Sequence, residues 1–400
     1  MRRISLAQAL RGDTAPDRGG AGAVGAGRAL AGGTAGGSGC ELGRGRADGL
    51  VVMGDPLVIR VDASPEIGTG HVMRCLALAQ AWQASQGPVL FALAAVPPAL
   101  EARLRAEEVE VAPVPASPGS AEDAQATAEL ALQRGARWTV VDGQHFGSWY
   151  QQQIKEAGLL ALAIDDDGHA QRYVADIVLN QNLHAHEAMY PHRAPSTRLL
   201  LGSTYVLLRR EFWPWRGWTR QHPPVARRVL VTLGGADPDN MTLMVIQALS
   251  QLKGADLDLT AVVGGGNPNY ERLRSAAAQA QPPVRLLCNV ANMPELMAQA
   301  EVAVSSGGTT VWEMALMGLP AVVGIIAPVE ELLASGLRQH GLYWHAGWLR
   351  EMAPARLAEM LALLIRDQEA RQAMSRLGQR LIDGLGASRV VQAMTEGDEA

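Results

Sequence analysis

The sequence predicts an α/β protein of two successive Rossmann-like domains with a cleft between them. Three observations carry this expectation. Short apolar runs of strand type alternate with segments of helical period from about residue 55 onward. Two strand-to-helix turns, at 62–70 and 305–310, are rich in glycine and carry chemically active side chains. Residues 213–227, WPWRGWTRQHPPVAR, hold prolines, tryptophans and charges without period, and divide the alternation into two series.

The chain of 400 residues leaves room for two or three domains. Hydrophobic residues make up 48% and charged ones 19%, the balance of a soluble globular protein. A net charge of −5 gives no support to a nucleic-acid partner. Cys40, Cys75 and Cys288 form no C-x-x-C pair, which suits free thiols and a cytoplasmic setting. No apolar run reaches transmembrane length, and the opening MRRISLAQAL breaks at Arg11 and Asp13, too soon for a secretory signal. A monomer with no membrane partner is the expectation. Fourteen of the first 50 residues are glycine, without hydrophobic periodicity. Residues 1–54 therefore read as a disordered extension, an upstream start codon being one source.

The first domain, expected over 55–215, opens with strand Leu57 to Val61. A polar turn with Gly68 and Gly70 leads into a helix from His71. Val72, Cys75, Leu76, Ala79 and Trp82 recur at helical spacing and would face a core. G-x-G after a strand is weak by itself, and Met73 stands where a dinucleotide fingerprint has its third glycine. His71 is more informative. The unpaired N–H groups and positive end of a helix disfavour a charged imidazole, and a neutral one can take a proton from water. Arg74 lies one turn on, on nearly the same face. A capping histidine over a tight turn is the competing reading.

Strand Val89 to Ala95, helix Ala99 to Glu108 and a short strand before a proline-rich loop follow. Helix 120–134 leads to strand Trp138 to Val141, which ends in Asp142. An acid there either meets a ligand or caps the helix near Ser148. Strand Leu159 to Ile164 runs into Asp165-Asp166-Asp167, three carboxylates that either hold a divalent ion or form a turn with one carboxylate aimed at the cleft. Strand Asp176 to Asn180 precedes Gln181-Asn182. His184, His186 and His192 fit no standard ligand spacing and read as solvated loop residues. Arg209 closes an apolar run before the linker at 216–227. A guanidinium there suits a diphosphate, or pairs with Glu211 or another local acid.

The second domain, expected over 228–400, begins with strand Arg228 to Leu233 and the turn Gly234-Gly235-Ala236-Asp237-Pro238. Helix 240–252, strand Leu257 to Val263, a helix to about Ala278, strand Val284 to Leu287, helix Met293 to Ala300 and strand Val302 to Ser305 follow. In Ser305-Ser306-Gly307-Gly308-Thr309-Thr310 the glycines allow close backbone approach to an anion and the threonines add donors. Glu313 follows in the helix Val311 to Met317, where a carboxylate can accept ribose hydroxyls. A tight turn with a solvated glutamate is the alternative. Strand Ala321 to Ile326 and helix 328–338 come next, and from 354 the period is helical to the end.

IRVDASPEIGTGHVMRCLALA resembles the N-terminal signature of the UDP-sugar hydrolases of pseudaminic acid biosynthesis, which act on UDP-2,4-diacetamido-2,4,6-trideoxy-β-L-altropyranose. The tracts IDD, IVLNQN and LLLGSTYVLLRREF are similar too. G-G-x-T-x-x-E at 307–313 resembles the UDP-binding stretch of the glycosyltransferase that makes lipid II. The resemblance covers roughly 57–350 and implies a cleft fold of the GT-B type. It implies metal-independent release of UDP from a UDP-sugar, without cofactor, and gives His71 the role of base. By the same resemblance Gly68, Gly70, Arg74, Asp142, Asn182, Arg209, Gly234, Gly235, Asp237, Gly307, Gly308, Thr309 and Glu313 are the expected substrate-binding residues. A GT-B glycosyltransferase and a non-catalytic UDP-sugar-binding protein are the alternative functions.

Overall fold

The computed structural model describes residues 54–396 apart from 65, 66, 236, 253–255 and 266. The N-terminal extension expected over 1–54 lies, Gly54 excepted, outside the described residues.

The first half alternates strand and helix: β1 (Leu57–Val61), α1 (Gly70–Gln83), β2 (Val89–Leu93), α2 (Pro98–Ala106), β3 (Glu110–Pro113), α3 (Ala121–Gln133), β4 (Trp138–Asp142), α4 (Ser148–Glu156), β5 (Leu160–Ile164), β6 (Ile177–Asn180) and β7 (Arg198–Leu201). Its sheet has the order β3-β2-β1-β4-β5-β6-β7, and every neighbouring pair is parallel. β1, β2 and β4 are buried along their whole length. That explains their near-continuous apolar sequence, because helices cover both faces of a parallel sheet. Arg60 breaks the run in β1, and the fold neutralises it with Asp123 at 2.7 Å and Asp62 at 2.7 Å.

The second half repeats the design: β8 (Arg228–Thr232), α5 (Met241–Leu249), β9 (Asp258–Val263), α6 (Tyr270–Gln279), β10 (Val284–Cys288), α7 (Met293–Gln299), β11 (Val302–Ser306), α8 (Thr310–Leu316), β12 (Ala321–Ile325), α9 (Glu331–Gln339) and β13 (Trp344–Trp348). Its parallel sheet runs β10-β9-β8-β11-β12-β13. Each half thus has a strand-order reversal, between β1 and β4 in the first and between β8 and β11 in the second. Such reversals open a crevice at the carboxyl ends of the strands. β13 was not expected from WHAGW, which lacks alternation. The register shift between Val323 and Gly324 lets this edge strand pair despite its positive-φ Gly347.

The helical tail divides into α10 (Pro354–Arg366), α11 (Gln368–Leu381) and α12 (Gly386–Thr395). Asp367 separates the first two and accepts the Ala370 N–H at 2.9 Å as an N-cap. The last helix departs from the expected division at residue 228. Ala387, Val390, Val391 and Met394 of α12 join the core built on Leu57, Ile59 and Trp82, so the chain returns to the first half to finish. Trp213 packs on that core, and Trp215 and Trp218 pack on the core of the second half. The linker is lashed down by two buried arginines. Arg220 donates to the carbonyls of Met297 and Met317, and Arg371 donates to those of Leu364, Pro223 and Pro224. Among the described residues no helix is long and apolar enough to cross a membrane.

α12 meets the first half at Gly386. A Cβ there would lie 2.2 Å from Val206 O and 2.5 Å from Val206 N, and backbone cannot yield cheaply. Gly386→Ala should destabilise the protein by about 1–3 kcal/mol through overpacking, read as a lower urea midpoint. An unchanged midpoint would mean that α12 is not seated on this backbone.

Candidate active site between two glycine turns

The turn after β1 is closed by its own backbone. Gly68 N–H donates to Ser64 O at 2.8 Å, and Gly68 sits at φ 79°, where a side chain would be strained. This delivers Gly70 and His71 to the first turn of α1, beside the end of β4. His71 Nδ1 lies 2.6 Å from Asp142 Oδ1. Arg74, one turn along, donates through Nε to Oδ2 and through Nη2 to Oδ1, both at 2.7 Å. The Cys75 thiol donates to Oδ2 at 3.3 Å. The two strands that flank the reversal of the first sheet thus meet through one carboxylate.

The electrostatics follow from this packing. Burial pushes the Asp142 carboxyl up, but Arg74 and then His71 outweigh it and hold it well below the usual carboxylate range. Asp142 is therefore an obligate acceptor, and the His71 nitrogen facing it carries the proton. Nε2 is the ring nitrogen left for another partner, on a side chain that is 31% exposed. Burial first, then the Asp142 charge, pushes the Cys75 thiol well up, so it is no nucleophile.

Arg74 reaches one group further. Its Nη1 donates to Asp166 Oδ2 at 2.7 Å, and Asn182 Nδ2 donates to Asp166 Oδ1 at 2.6 Å. Arg74 and Asn182, both expected on the ligand, are buried and committed to Asp142 and Asp166 instead. Asp142 does not cap α4, whose N-cap is Gly147. His184 is not a solvated histidine, since its Nε2 donates to Asp166 O at 2.8 Å.

The second half brings its own reversal to the same place. A Cβ placed on Gly235 would lie 3.0 Å from Thr69 Oγ1, and one on Gly70 would lie 3.8 Å from Thr309 Oγ1. The turns after β8 and β11 therefore face the turn that carries His71. Gly234 at φ 87° makes the first of them possible. Asp237 does not reach into the cleft. Its two oxygens accept the N–H groups of Met241 and Thr242 at 2.7 and 2.8 Å and cap α5. Gly307 N–H donates to Gly324 O at 2.9 Å, so its amide belongs to the strand pairing and its contribution is space. Glu330 lies beneath this turn, with Oε1 3.6 Å from where a Gly308 Cβ would be and Oε2 accepting Ile326 N–H. The sequence reading gave Glu330 no role. Arg209 and Glu313, expected separately on diphosphate and ribose, pair with each other at 2.6 Å, and Arg209 also holds Glu211 at 2.8 Å. Burial pushes the Glu313 carboxyl up, with Arg209 opposing.

Residues 227–367 match the family described as Glycosyl transferases group 1. The chain is 26% identical over 204 residues to the spore coat polysaccharide biosynthesis protein SpsG of Bacillus subtilis, covering 50% of this chain and 59% of that protein. It is 26% identical over 265 residues to the UDP-2,4-diacetamido-2,4,6-trideoxy-β-L-altropyranose hydrolase of Campylobacter jejuni, covering 65% of this chain and 88% of that protein. An uncharacterized Methanocaldococcus jannaschii protein is spanned over only 39% of its length, so the chain covers less than two thirds of two of these relatives. Among solved structures, MurG of Acinetobacter baumannii is similar with a TM-score of 0.56 at 16% identity, covering 86% of this chain and 99% of that one. HepE of Anabaena, solved with UDP and glucose, is similar with a TM-score of 0.55 at 14% identity, covering 85% and 99%. The chain has the GT-B fold. Its two Rossmann-like halves present their strand-order reversals to one another.

The acidic run at 165–167 forms a separate cluster beside the site. Asp165, Asp167 and His169 place donor atoms within 4.8 Å of one another. Asp165 Oδ1 accepts the N–H groups of Asp167 and Gly168, and Oδ2 takes the Tyr173 hydroxyl and His169 Nδ1. Asp165 and then Asp167 push His169 up to about 9, against the lowering effect of burial, so it is a cation at neutral pH. The three groups thus make an ion-pair cluster in which the Asp165 carboxylate is fully hydrogen-bonded. The ordinary value of His169 is 6.5, so the stability it adds is complete below about 6.5 and is lost as pH rises through about 9. His169→Gln should cost up to about 3 kcal/mol near pH 6 and little near pH 10, measured by urea unfolding at both. Equal losses would show that the imidazole acts by packing alone.

Proposed function

We propose that the protein hydrolyses a UDP-sugar at its anomeric carbon, releasing UDP and the free sugar with inversion. The observation that carries this is the His71–Asp142 pair, placed at one strand-order reversal and facing the glycine turns of the other. Ionised Asp142 keeps the proton on Nδ1, and Nε2 takes a proton from a water. That water attacks the anomeric carbon as the bond from carbon to the UDP oxygen breaks. One displacement inverts the centre. The turns at Gly234-Gly235 and Gly307-Gly308-Thr309 leave room for the diphosphate, and donors from Thr309 stabilise the charge that grows on it. Glu313 keeps one carboxylate oxygen beyond the one that Arg209 takes, and this is our candidate acceptor for a ribose hydroxyl.

The Campylobacter jejuni hydrolase supports this reading, since 88% of its length is matched. It also suggests the substrate, a UDP-linked 2,4-diacetamido-2,4,6-trideoxy-altrose, and with it pseudaminic acid biosynthesis. A second reading has its own support. The match of 227–367 to group 1 glycosyl transferases favours transfer of the sugar to an acceptor other than water.

The two readings separate in one assay of purified protein with that UDP-sugar, a chelator and no acceptor. Hydrolysis should release UDP and give free sugar of inverted configuration by NMR. UDP binding without release would favour transfer. If hydrolysis holds, His71→Ala should lower kcat by about 10²–10⁴-fold and leave the Kd for UDP unchanged. Asp142→Asn should fall in the same range of about 10²–10⁴-fold, because the amide no longer fixes the tautomer. Wild-type rates in either variant would remove the pair from the reaction.

A further inference from the structure

The halves also touch along α9, which lies against the Gly307 turn through Ala334. α9 of the second half packs on residues 183 and 184 of the first. A Cβ on Gly336 would lie 3.3 Å from His184 N, 3.5 Å from His184 Cβ and 3.6 Å from Leu183 Cβ. Gly336 is buried, so a larger side chain there must push α9 and the loop apart. His184 Nε2 donates to Asp166 O, while its Nδ1 is buried without a partner. Asp166 is bonded on one oxygen by Asn182, whose backbone N–H donates to Asn180 Oδ1 at 3.0 Å, and on the other by Arg74. Arg74 then holds both oxygens of Asp142, which holds His71. An unbroken series of contacts runs from a helix of the second half to the imidazole of the first.

We propose that Asp166 is a positioning residue for His71, and that seating of α9 on the His184 loop sets its place. This rests on the reading of His71 as the base. Arg74 is buried and divides its donors between two carboxylates. Asp166 is 39% exposed but Arg74 only 5%, so moving Asp166 takes a charged partner from Nη1 of a buried guanidinium, which turns to recover one. Asp142 shares that guanidinium, so the carboxylate and the imidazole on it turn as well. Seating of α9 and correct aim of the base are thereby coupled: with α9 lifted, Asp166 loses the His184 bond on its carbonyl, its carboxylate shifts against Arg74, and Nε2 is misdirected. The arrangement favours water attack only when the second half, with its nucleotide turns, is in place.

The test combines kinetics with a readout that needs no turnover. Asp166→Asn removes the charge and keeps the shape, and Gly336→Leu lifts α9. Each should lower kcat by up to about 10²-fold, the expected cost of a small misplacement of a catalytic group, and Asp166→Asn, which leaves α9 and the Gly307 turn alone, should do so with the Kd for UDP unchanged. The double variant should be no worse than the poorer single one, since both act on one relay. His184→Gln, which retains an N–H for Asp166 O, should keep most of the activity that His184→Ala loses. In ¹⁵N-histidine-labelled protein the His71 ring signals, assigned by their loss in His71→Ala, should move alike in Asp166→Asn and Gly336→Leu. Multiplying losses in the double variant, or unmoved His71 signals in folded variants, would overturn the proposal. Should Gly336→Leu fail to fold, Gly336→Ala must show the same shift in smaller measure. If the wild-type protein releases no UDP, the hydrolase reading fails and the ring signals alone decide the positioning role.

Discussion

The buried pairing of Arg74 with Asp142 is the constraint on which the site depends. A carboxylate at the end of an inner strand of a parallel sheet has no water to solvate it, and a lone charge there costs several kcal/mol. α1 supplies the counter-charge one turn after His71, in the two-pronged geometry that suits guanidinium and carboxylate. Ionised in this way, Asp142 has an acceptor left for one more donor, and the imidazole fills it. Structure and chemistry use the same carboxylate, so the polar interior of the first half and the orientation of His71 cannot vary independently.

The glycines serve this arrangement differently in the two halves. Gly68 supplies a backbone angle that closes a turn, whereas Gly235 supplies clearance between facing turns. A Cβ on Gly235 would crowd the Thr69 hydroxyl at 3.0 Å, while one on Gly70 would make ordinary contact with Thr309 at 3.8 Å. In the reading proposed above, nucleotide and base come from opposite halves of the same fold.

Much of this was legible in the sequence because its signals are local. Apolar runs and helical periods marked β1, β4, β8 and β11 and the helices after them, and the turn G-T-G-H pointed to His71 without reference to anything distant. Partnerships across the sheet were not legible. Nothing near Asp142 says that its oxygens meet Arg74, which is 68 positions earlier. Nor does Arg209 announce Glu313, 104 positions later. The sequence could therefore offer these charged residues to a ligand but could not name the partners they have within the fold. Asp237 was read as a site residue for its place after two glycines, yet the same place lets it cap α5. β13 escaped because edge strands of aromatic and small residues carry little period. Asp166 had a trace in the triple acid, although composition could not say which of the three faces Arg74.

The return of α12 to the first half has a mechanical consequence. The polypeptide passes between the halves twice, once through the linker lashed by Arg220 and Arg371 and again just before Gly386. Two bodies joined by a single tether can swivel freely. Joined by two, they have fewer rotations open to them, so the meeting of Thr69 with Gly235 and of Gly70 with Thr309 is constrained by the chain path as well as by the contacts themselves.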